Sequence, residues 1–301
     1  MMSDIAAYKC RLCGSGRAST LLDVRDEGYS LRKCIDCSFV TTYPIPTEAE
    51  LSKYYNDNYW PNSGEPATSM LKTLLFLRMR EVLFELKRLL PKSRRVLDWG
   101  AGDGSWLEIL RNEGFDGYGL DQYSNATKDK FLRRGSIENA GFPDNFFDAI
   151  SCFHVLEHLR DPVGNIRTAV QMLKPSGVMI VEVPNISSFG FIIFKNRWQP
   201  LELPVHLNHF SPETLRRLFG EVGNLQVFKV SFFSHRASPS ALVLSLFPFF
   251  APKTVRYKHS GRYPLFLMSV YLFMQLFIYP FAALEALFKR GGIIRLYVRK
   301  V

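Results

Sequence analysis

The sequence predicts an α/β protein built on a doubly wound, mostly parallel sheet of seven strands, and three observations support this prediction. A short apolar strand, Arg94 to Trp99, leads directly into a glycine-rich turn and then into a helical pattern. Strand-like and helix-like segments alternate from there to about residue 235. Two more strand-like segments, NLQVFKVSFF and GIIRLYVRK, lie in the last third of the chain. Alternation of this kind is typical of a parallel sheet covered by helices on both faces.

The expected strands follow one another along the chain. After the first strand, Tyr118 to Leu120 forms the second, Gly135 to Glu138 borders the third, and Asp148 to Phe153 forms the fourth and leads into a helix start. LKPSGVMIVEVPN supplies a turn and a fifth strand. SPETLRRLFGEVG then reads as a helix with Ser211 as its N-cap residue. These five strands and the two later segments make up the predicted sheet.

Four of the five cysteines form two CxxC pairs before this core, separated by a hairpin-like segment, LLDVRDEGYSL. They are Cys10, Cys13, Cys34 and Cys37. Four thiolates at this spacing suit a closed, tetrahedral and therefore structural zinc site. A redox pair is the alternative, but two pairs outside any βαβ unit favour the metal. The chain start has no apolar leader segment, so we expect a cytoplasmic protein.

A linker with prolines and tyrosines, TTYPIPTEAELSKYYNDNYW, follows the cysteines. Its tyrosines either face the substrate or pack between the ribbon and the main domain. The sequence therefore divides into five predicted parts: a zinc ribbon (1–45), a linker and helical cap (46–92), a cofactor-binding domain (93–235), a hydrophobic basic insert (236–290) and a final strand (291–301).

The glycine turn has features of a cofactor loop. Gly100, Gly102 and Gly104 let the backbone approach a ligand, and the N-terminus of the following helix faces it. Asp121 lies at the end of the next strand, where a carboxylate can accept both hydroxyls of a ribose. The GxGxG spacing differs from the GxGxxG of a dinucleotide fingerprint, which argues against a dehydrogenase.

Taken together, VLDWGAGDGS, Asp121, FDAISCFHVLEHL and LKPSGVMIVEVPN resemble class I S-adenosylmethionine-dependent methyltransferases, whose sheet is Rossmann-like. The cysteine ribbon and PVHLNHFSPETL resemble a bacterial subgroup among enzymes that modify sugars and surface polysaccharides. The resemblance implies S-adenosylmethionine as cofactor and a small or lipid-linked acceptor, most plausibly a saccharide. It also implies the cofactor-binding residues Asp98, Gly100, Gly102, Gly104, Asp121, Ser136, Ile137 and Phe153.

The expected catalytic residues lie after the fourth and fifth strands. His154, Glu157 and His158 are spaced to share one helical face, with His154 nearest the expected methyl group. A histidine there can serve as general base, and His206 or His209 can reach the pocket from a later loop. The alternative is that Glu157 and His158 simply connect the helix start to the neighbouring loop.

The same residues are compatible with other functions. Glu157 and His158 match a Glu-x-x-Glu-His magnesium motif of RNA 2'-O-methyltransferases and some quinone-biosynthesis methyltransferases, which His209 would complete. His154 stands where that motif has glutamate, and imidazole suits magnesium poorly. An alternative of another class is a non-catalytic scaffold with the same fold.

The insert contains PLFLMSVYLFMQLFIYPFAAL (264–284), which has no formal charge and is long enough to span a bilayer. A single crossing would separate residues 291–301 from the sheet to which they belong. The net charge of +10 lies entirely in residues 229–301, where eleven basic residues accompany one acid, Glu285. Basic residues border the apolar runs, namely Lys253, Arg256, Lys258, Arg262, Lys289 and Arg290.

This charge pattern predicts a protein bound peripherally to the anionic inner face of the plasma membrane, and an internal lid over the active site is the alternative. A basic excess can also indicate nucleic acid, but no recognition signature accompanies it. The sequence therefore argues for a membrane surface and a lipid-linked or small saccharide as partners, and against nucleic acid.

Overall fold

The computed structural model describes residues 8–24, 28–54, 69–90, 94–124, 130–251 and 265–301. Its strands are β1 (Ala18–Val24), β2 (Tyr29–Cys34), β3 (Val40–Tyr43), β4 (Arg95–Trp99), β5 (Asp116–Asp121), β6 (Leu132–Arg134), β7 (Phe147–Phe153), β8 (Leu173–Pro184), β9 (Asn208–His209), β10 (Leu225–Ser231) and β11 (Ile293–Lys300). Its α-helices are α1 (Glu48–Ser52), α2 (Ser69–Leu89), α3 (Ser105–Asn112), α4 (Pro162–Met172), α5 (Phe189–Phe194), α6 (Pro212–Val222), α7 (Ser238–Leu246) and α8 (Leu265–Leu287).

The main sheet has seven strands in the order β10-β11-β8-β7-β4-β5-β6, which confirms the predicted fold class. Strands β4 to β8 run parallel, whereas β11 lies antiparallel between β8 and β10. The central strands are buried on both faces, as expected for a sheet with helices on each side. The carboxyl ends of β4, β5, β7 and β8 therefore meet at one edge.

Most of the caps and element boundaries predicted from the sequence agree with the structure. Ser211 caps α6, and Thr214 completes the capping box. The third strand ends at Arg134, immediately before Gly135, and β8 already begins at Leu173. The predicted helix after β7 begins later than the spacing of His154 to His158 implies: residues 156–158 form a single 3₁₀ turn, and the α-helix begins at Pro162. Asp161 caps that helix and Pro162 occupies its first position, which explains the delay.

The N-terminal segment folds as the predicted hairpin, β1 and β2, extended by β3. The fourth strand of this small sheet is β9, which comes from the main domain. Val40 pairs with His209 and Thr41 with Asn208, so backbone hydrogen bonds attach the cysteine segment to the loop after β8. Part of the predicted tyrosine linker lies outside the described residues.

Helix α2 covers one face of the main sheet. Its side chains Met79, Val82, Leu83 and Leu86 are buried in a cluster that includes Val96 of β4. The hydrophobic insert contributes α7 and α8, which pack against each other through side chains such as Val243, Leu244 and Met274. The exact domain bounds stay a prediction.

Candidate active site

The glycine turn between β4 and α3 has the backbone that its sequence suggests. Gly100, Gly102 and Gly104 all have positive φ, at 85°, 54° and 80°. A Cβ atom built on Gly100 would come within 2.2 Å of Cγ2 of Val155, so a larger residue fits neither the backbone nor the space. The turn therefore opens the N-terminus of α3 toward the carboxyl edge of the sheet.

Asp121, at the end of β5, lies beside this turn as predicted. One carboxylate oxygen, Oδ2, accepts a hydrogen bond from the Gly102 amide at 2.9 Å, and Oδ1 accepts one from the Tyr123 amide at 2.8 Å. Burial raises the pKa of Asp121, whereas these amide bonds counteract it. The Ser124 amide is a third backbone donor to this carboxylate, and of its about four acceptor positions at least one remains for the predicted contact with a ribose hydroxyl.

Asp98 is buried at the end of β4, under the glycine turn. Its Oδ1 accepts a hydrogen bond from the Ser151 hydroxyl at 3.1 Å, and the Trp106 indole N–H donates to the same hydroxyl. Burial raises the pKa of Asp98 to about 7. This carboxyl group therefore sits in an apolar setting where a cationic ligand group would stabilise its charged form.

The remaining predicted cofactor contacts lie in the same region. Phe153, at the end of β7, packs against Trp106 with ring centroids 6.1 Å apart. Ser136 is half-buried, but the side chain of Ile137 is buried in the main core. Only the backbone of Ile137 is thus left to border an adenine ring.

His154 lies between two carboxylates. Its Nδ1 is 3.1 Å from Oε1 of Glu157, and its Nε2 is 3.3 Å from Oε1 of Glu182. Burial disfavours the charged ring, but the bonds to Glu157 and Glu182 outweigh burial and raise the pKa of His154 to about 9. At neutral pH this ring is therefore a hydrogen-bonded cation, whereas a general base must be unprotonated.

The predicted shared helical face of His154, Glu157 and His158 is wrong. His154 has a φ of 57°, so it lies in the left-handed region before the 3₁₀ turn. This conformation directs its ring to β8, and the His154 amide donates to the Glu182 carbonyl. Left-handed backbone at a residue with a side chain is a strained state typical of functional sites.

Glu182 is the residue at this site that the sequence reading missed. The guanidinium of Arg295, in β11, binds its Oε2 at 2.6 and 2.8 Å, and the Ser234 hydroxyl donates to its Oε1. Arg295 and His154 together hold the pKa of Glu182 well below its usual range, although burial opposes them. The sequence contains one signal for this pair: the apolar strand VMIVEVP carries a single negative charge, and the apolar strand IIRLYV carries a single positive charge.

A second group of polar side chains lies behind His154. Glu157, His158 and His206 offer one potential ligand atom each, all within 4.8 Å of one another. The Nδ1 atoms of His158 and His206 donate to the carbonyls of Val205 and Pro200. Oε2 of Glu157 has no hydrogen-bond partner among the described residues. This arrangement could hold a metal ion.

His209 does not belong to this group of three potential ligands. Its Nε2 is 3.0 Å from the Thr42 hydroxyl of the N-terminal sheet. Burial and the neighbouring His206 lower the pKa of His158 to about 4 and that of His209 to about 3. Both rings are therefore neutral at physiological pH, and His206 takes the position for which His209 was predicted.

The four N-terminal cysteines converge as predicted. Sγ of Cys10 is 3.5 Å from Sγ of Cys37, and Sγ of Cys13 is 3.6 Å from that of Cys34. All four sulfurs lie within 4.8 Å of one another, and none forms a disulfide. Tetrahedral Zn–S bonds of about 2.3 Å place sulfurs about 3.8 Å apart, so the geometry fits zinc.

The strand order, the glycine turn and Asp121 define a class I S-adenosylmethionine-dependent methyltransferase. The methyltransferase domain family matches residues 74–227, about half of the chain, and the chain belongs to that family. The protein is therefore a methyltransferase enzyme with S-adenosylmethionine as its cofactor, and neither a dehydrogenase nor a non-catalytic scaffold.

Two curated relatives illustrate the similarity. The ubiquinone biosynthesis O-methyltransferase of Aliivibrio fischeri is 29% identical over 161 residues, which are 48% of this chain and 67% of the relative. A probable S-adenosylmethionine-dependent methyltransferase of Mycolicibacterium smegmatis is 24% identical over 196 residues, 62% of this chain and 68% of the relative.

Solved structures agree at the level of the fold. Phosphoethanolamine N-methyltransferase 2 of Haemonchus contortus, in complex with S-adenosyl-L-methionine, superposes with a TM-score of 0.50 at 14% identity. The match covers 87% of this chain and 62% of that chain.

Proposed function

We propose that the enzyme transfers a methyl group to a hydroxyl of a small or lipid-linked saccharide, in the synthesis of a surface polysaccharide. The observation that supports this acceptor is a cavity of about 330 Å³ next to the histidine group. Hydrogen-bonding side chains line part of it, namely Asn196, Arg197, Gln199 and Glu202. Glu202 is 3.3 Å from Nε2 of His206. Small-molecule sites typically combine an apolar lining with a few polar groups that fix the orientation of the ligand, and these four side chains could do so for sugar hydroxyls.

In this reaction the residues of the chain would have distinct roles. Bound S-adenosylmethionine supplies an electrophilic methyl group on a sulfonium. Asp121 and the glycine turn hold the cofactor, and His154 with its two carboxylates orients the acceptor hydroxyl. As the acceptor oxygen takes the methyl group and S-adenosylhomocysteine leaves, the hydroxyl proton would pass to the ionised carboxylate of Glu157, whose Oε2 has no hydrogen-bond partner among the described residues.

Replacement of His154 by alanine should lower kcat by roughly 10²-fold, because His154 orients the acceptor hydroxyl and a small misplacement of a reacting group costs about that much. Affinity for S-adenosylhomocysteine should stay close to that of the wild type, since His154 lies outside the glycine turn. The assay follows labelled methyl groups from the cofactor into lipid-linked glycans from the source cells. Arg217→Ala, on the exposed face of α6, is the control. Equal kcat in His154→Ala and wild type would refute the role.

The acceptor is tested separately in cells. Mass spectrometry of surface glycans from cells lacking the protein should show the loss of one methyl group. Unchanged glycans would exclude the saccharide even if the purified enzyme binds its cofactor.

A second candidate is metal-assisted O-methylation of a quinone-like acceptor. The unpartnered oxygen of Glu157 beside His158 and His206 favours it, and a relative is a ubiquinone O-methyltransferase. The nitrogen ligands suit zinc better than magnesium. This function requires that His206→Ala lose a second bound metal ion together with activity, whereas the saccharide function requires only the cysteine-bound ion.

We also propose one structural zinc ion on Cys10, Cys13, Cys34 and Cys37. Elemental analysis should find one zinc per chain, and Cys34→Ser should lose it. Because so small a ribbon has little core of its own, loss of the ion should unfold it locally, and proteolysis would detect this. Cys152→Ala, at the buried fifth cysteine, should keep the zinc. A Cys34→Ser protein with full zinc content would refute the site.

The predicted position of the enzyme, cytoplasmic and peripheral on the inner face of the plasma membrane, stays a prediction. The four basic residues Lys253, Arg256, Lys258 and Arg262 lie outside the described residues. The described part of the insert nevertheless supports a specific contact with lipid.

A further inference from the structure

One side of α8 exposes large apolar side chains to the surroundings. The residues that define this apolar stripe are Phe266, Phe273, Leu276, Phe277, Leu284 and Leu287. Each is more than half exposed, and Leu287 reaches 79%. Their spacing of three, four and seven residues places them on one side of the helix. Soluble proteins rarely leave so continuous an apolar surface uncovered.

The opposite side of α8 is bound to the protein by polar contacts. Tyr271 donates to the Ser240 hydroxyl at 2.9 Å, and Oε1 of Gln275 accepts a hydrogen bond from Arg78 at 2.7 Å. One turn further on, the Tyr279 hydroxyl lies 2.6 Å from Nδ1 of His235. These contacts recur every four residues, so they fix which side of the helix faces outward.

The topology excludes a single membrane crossing by α8. Residues 266–287 are long and apolar enough to span a bilayer, and only 11% of the most apolar window is buried. This low burial also distinguishes α8 from the core helix of a soluble protein. Yet Ile293, six residues after the helix, pairs with Pro184 inside the main sheet. The helix must therefore lie along the surface of the protein, with its apolar stripe facing outward.

The short helix α5 continues the stripe. Its residues Ile192 and Ile193 are exposed, and the ring of Phe189 lies 6.3 Å from that of Phe288. The Phe189 amide donates to the Arg290 carbonyl, so α5 is attached to the end of α8. Two helices therefore share one apolar surface.

Basic residues border this surface at the ends of both helices. Lys195 and Arg197 follow α5, and Lys289 and Arg290 follow α8, all exposed. The single acid of the last 73 residues, Glu285, instead accepts a hydrogen bond from the Gly190 amide. Two copies of the chain would bring like charges together at this rim, whereas an anionic bilayer would attract them.

We propose that α8 and α5 form a docking face on which the enzyme lies, without crossing, on an anionic lipid bilayer. The face continues directly into the acceptor side: α5 begins after the end of β8, and residues 195–206 after it line the cavity and carry His206. A membrane-borne acceptor reaches the site along this segment. That last step rests on the proposed function, whereas the docking itself does not.

Flotation with vesicles tests the docking face. The wild-type protein should float with phosphatidylcholine vesicles containing phosphatidylglycerol, and less so with phosphatidylcholine alone or at high salt. Phe273→Glu combined with Phe277→Glu should lower the bound fraction at least tenfold. Leu21→Glu with Ile35→Glu adds the same charge on exposed sites of the N-terminal segment and should leave binding near that of the wild type.

Two further measurements complete the test. Calorimetry with S-adenosylhomocysteine should give equal affinity for both double variants, which shows that they are folded and separates failed docking from failed methyltransferase function. Light scattering without lipid should show a monomer. A wild-type protein that does not float with anionic vesicles, or a dimer disrupted by the Phe273 and Phe277 substitutions, would overturn the proposal.

Discussion

Asp121→Ala should weaken binding of S-adenosylhomocysteine by roughly 100-fold or more. Hydrogen bonds to a charged group contribute about 1.5–3 kcal/mol each, and the substitution removes at least one that a ribose would make. It also removes the acceptor for the Gly102 amide, so the glycine turn loses the contact that connects it to β5. Isothermal titration calorimetry measures the effect directly.

The same strand supplies a matched control. Asp116 begins β5 at the opposite end from the glycine turn, and it is exposed. Asp116→Ala should therefore bind the ligand as the wild type does. If Asp121→Ala bound S-adenosylhomocysteine equally well, the assignment of this edge of the sheet as the cofactor site would fail.

Arg295→Met should destabilise the protein by about 3–5 kcal/mol, the range observed when one partner of a buried ion pair is removed. Arg295 is 2% exposed and Glu182 is 4% exposed, so the substitution leaves a carboxylate without its guanidinium partner in the protein interior. The His154 ring and the Ser234 hydroxyl remain as partners of Glu182. Urea unfolding monitored by circular dichroism would measure the free energy of unfolding.

A double variant shows whether the unpaired charge is the cause. Arg295→Met combined with Glu182→Leu should recover much of the lost stability, because replacing both partners with apolar residues is often close to neutral. Arg299→Met, in the same strand but half-buried near its end, should cost less than about 1 kcal/mol. Equal losses for Arg295→Met and Arg299→Met would contradict the buried pair.

The predictions that the structure and the family confirm were based on local sequence patterns. The glycine turn and Asp121 could be read from the sequence because each depends on a few neighbouring residues and on one strand–turn–helix unit. The convergence of Cys10, Cys13, Cys34 and Cys37 was predictable for a similar reason, since a CxxC turn brings two sulfurs together by itself.

The surroundings of His154 could not be read in this way. Its partner Glu182 and the guanidinium of Arg295 are 113 residues apart along the chain and meet only because β11 pairs with β8 in one register. The helical spacing from His154 to His158 was a reasonable guide, but a left-handed residue redirected the first ring. The choice of His206 over His209 likewise depends on which residue pairs with β3.

The sequence by itself determined the fold class, the cofactor turn and the composition of the insert, because these follow from short-range periodicity and from residues close together in the chain. Only the tertiary structure decided which carboxylates surround His154 and which side of α8 is exposed. Those features depend on strand register and on contacts such as Gln275 with Arg78, between residues nearly 200 positions apart. Apolar composition shows that a surface must be covered, whereas packing alone decides which side of the helix stays exposed.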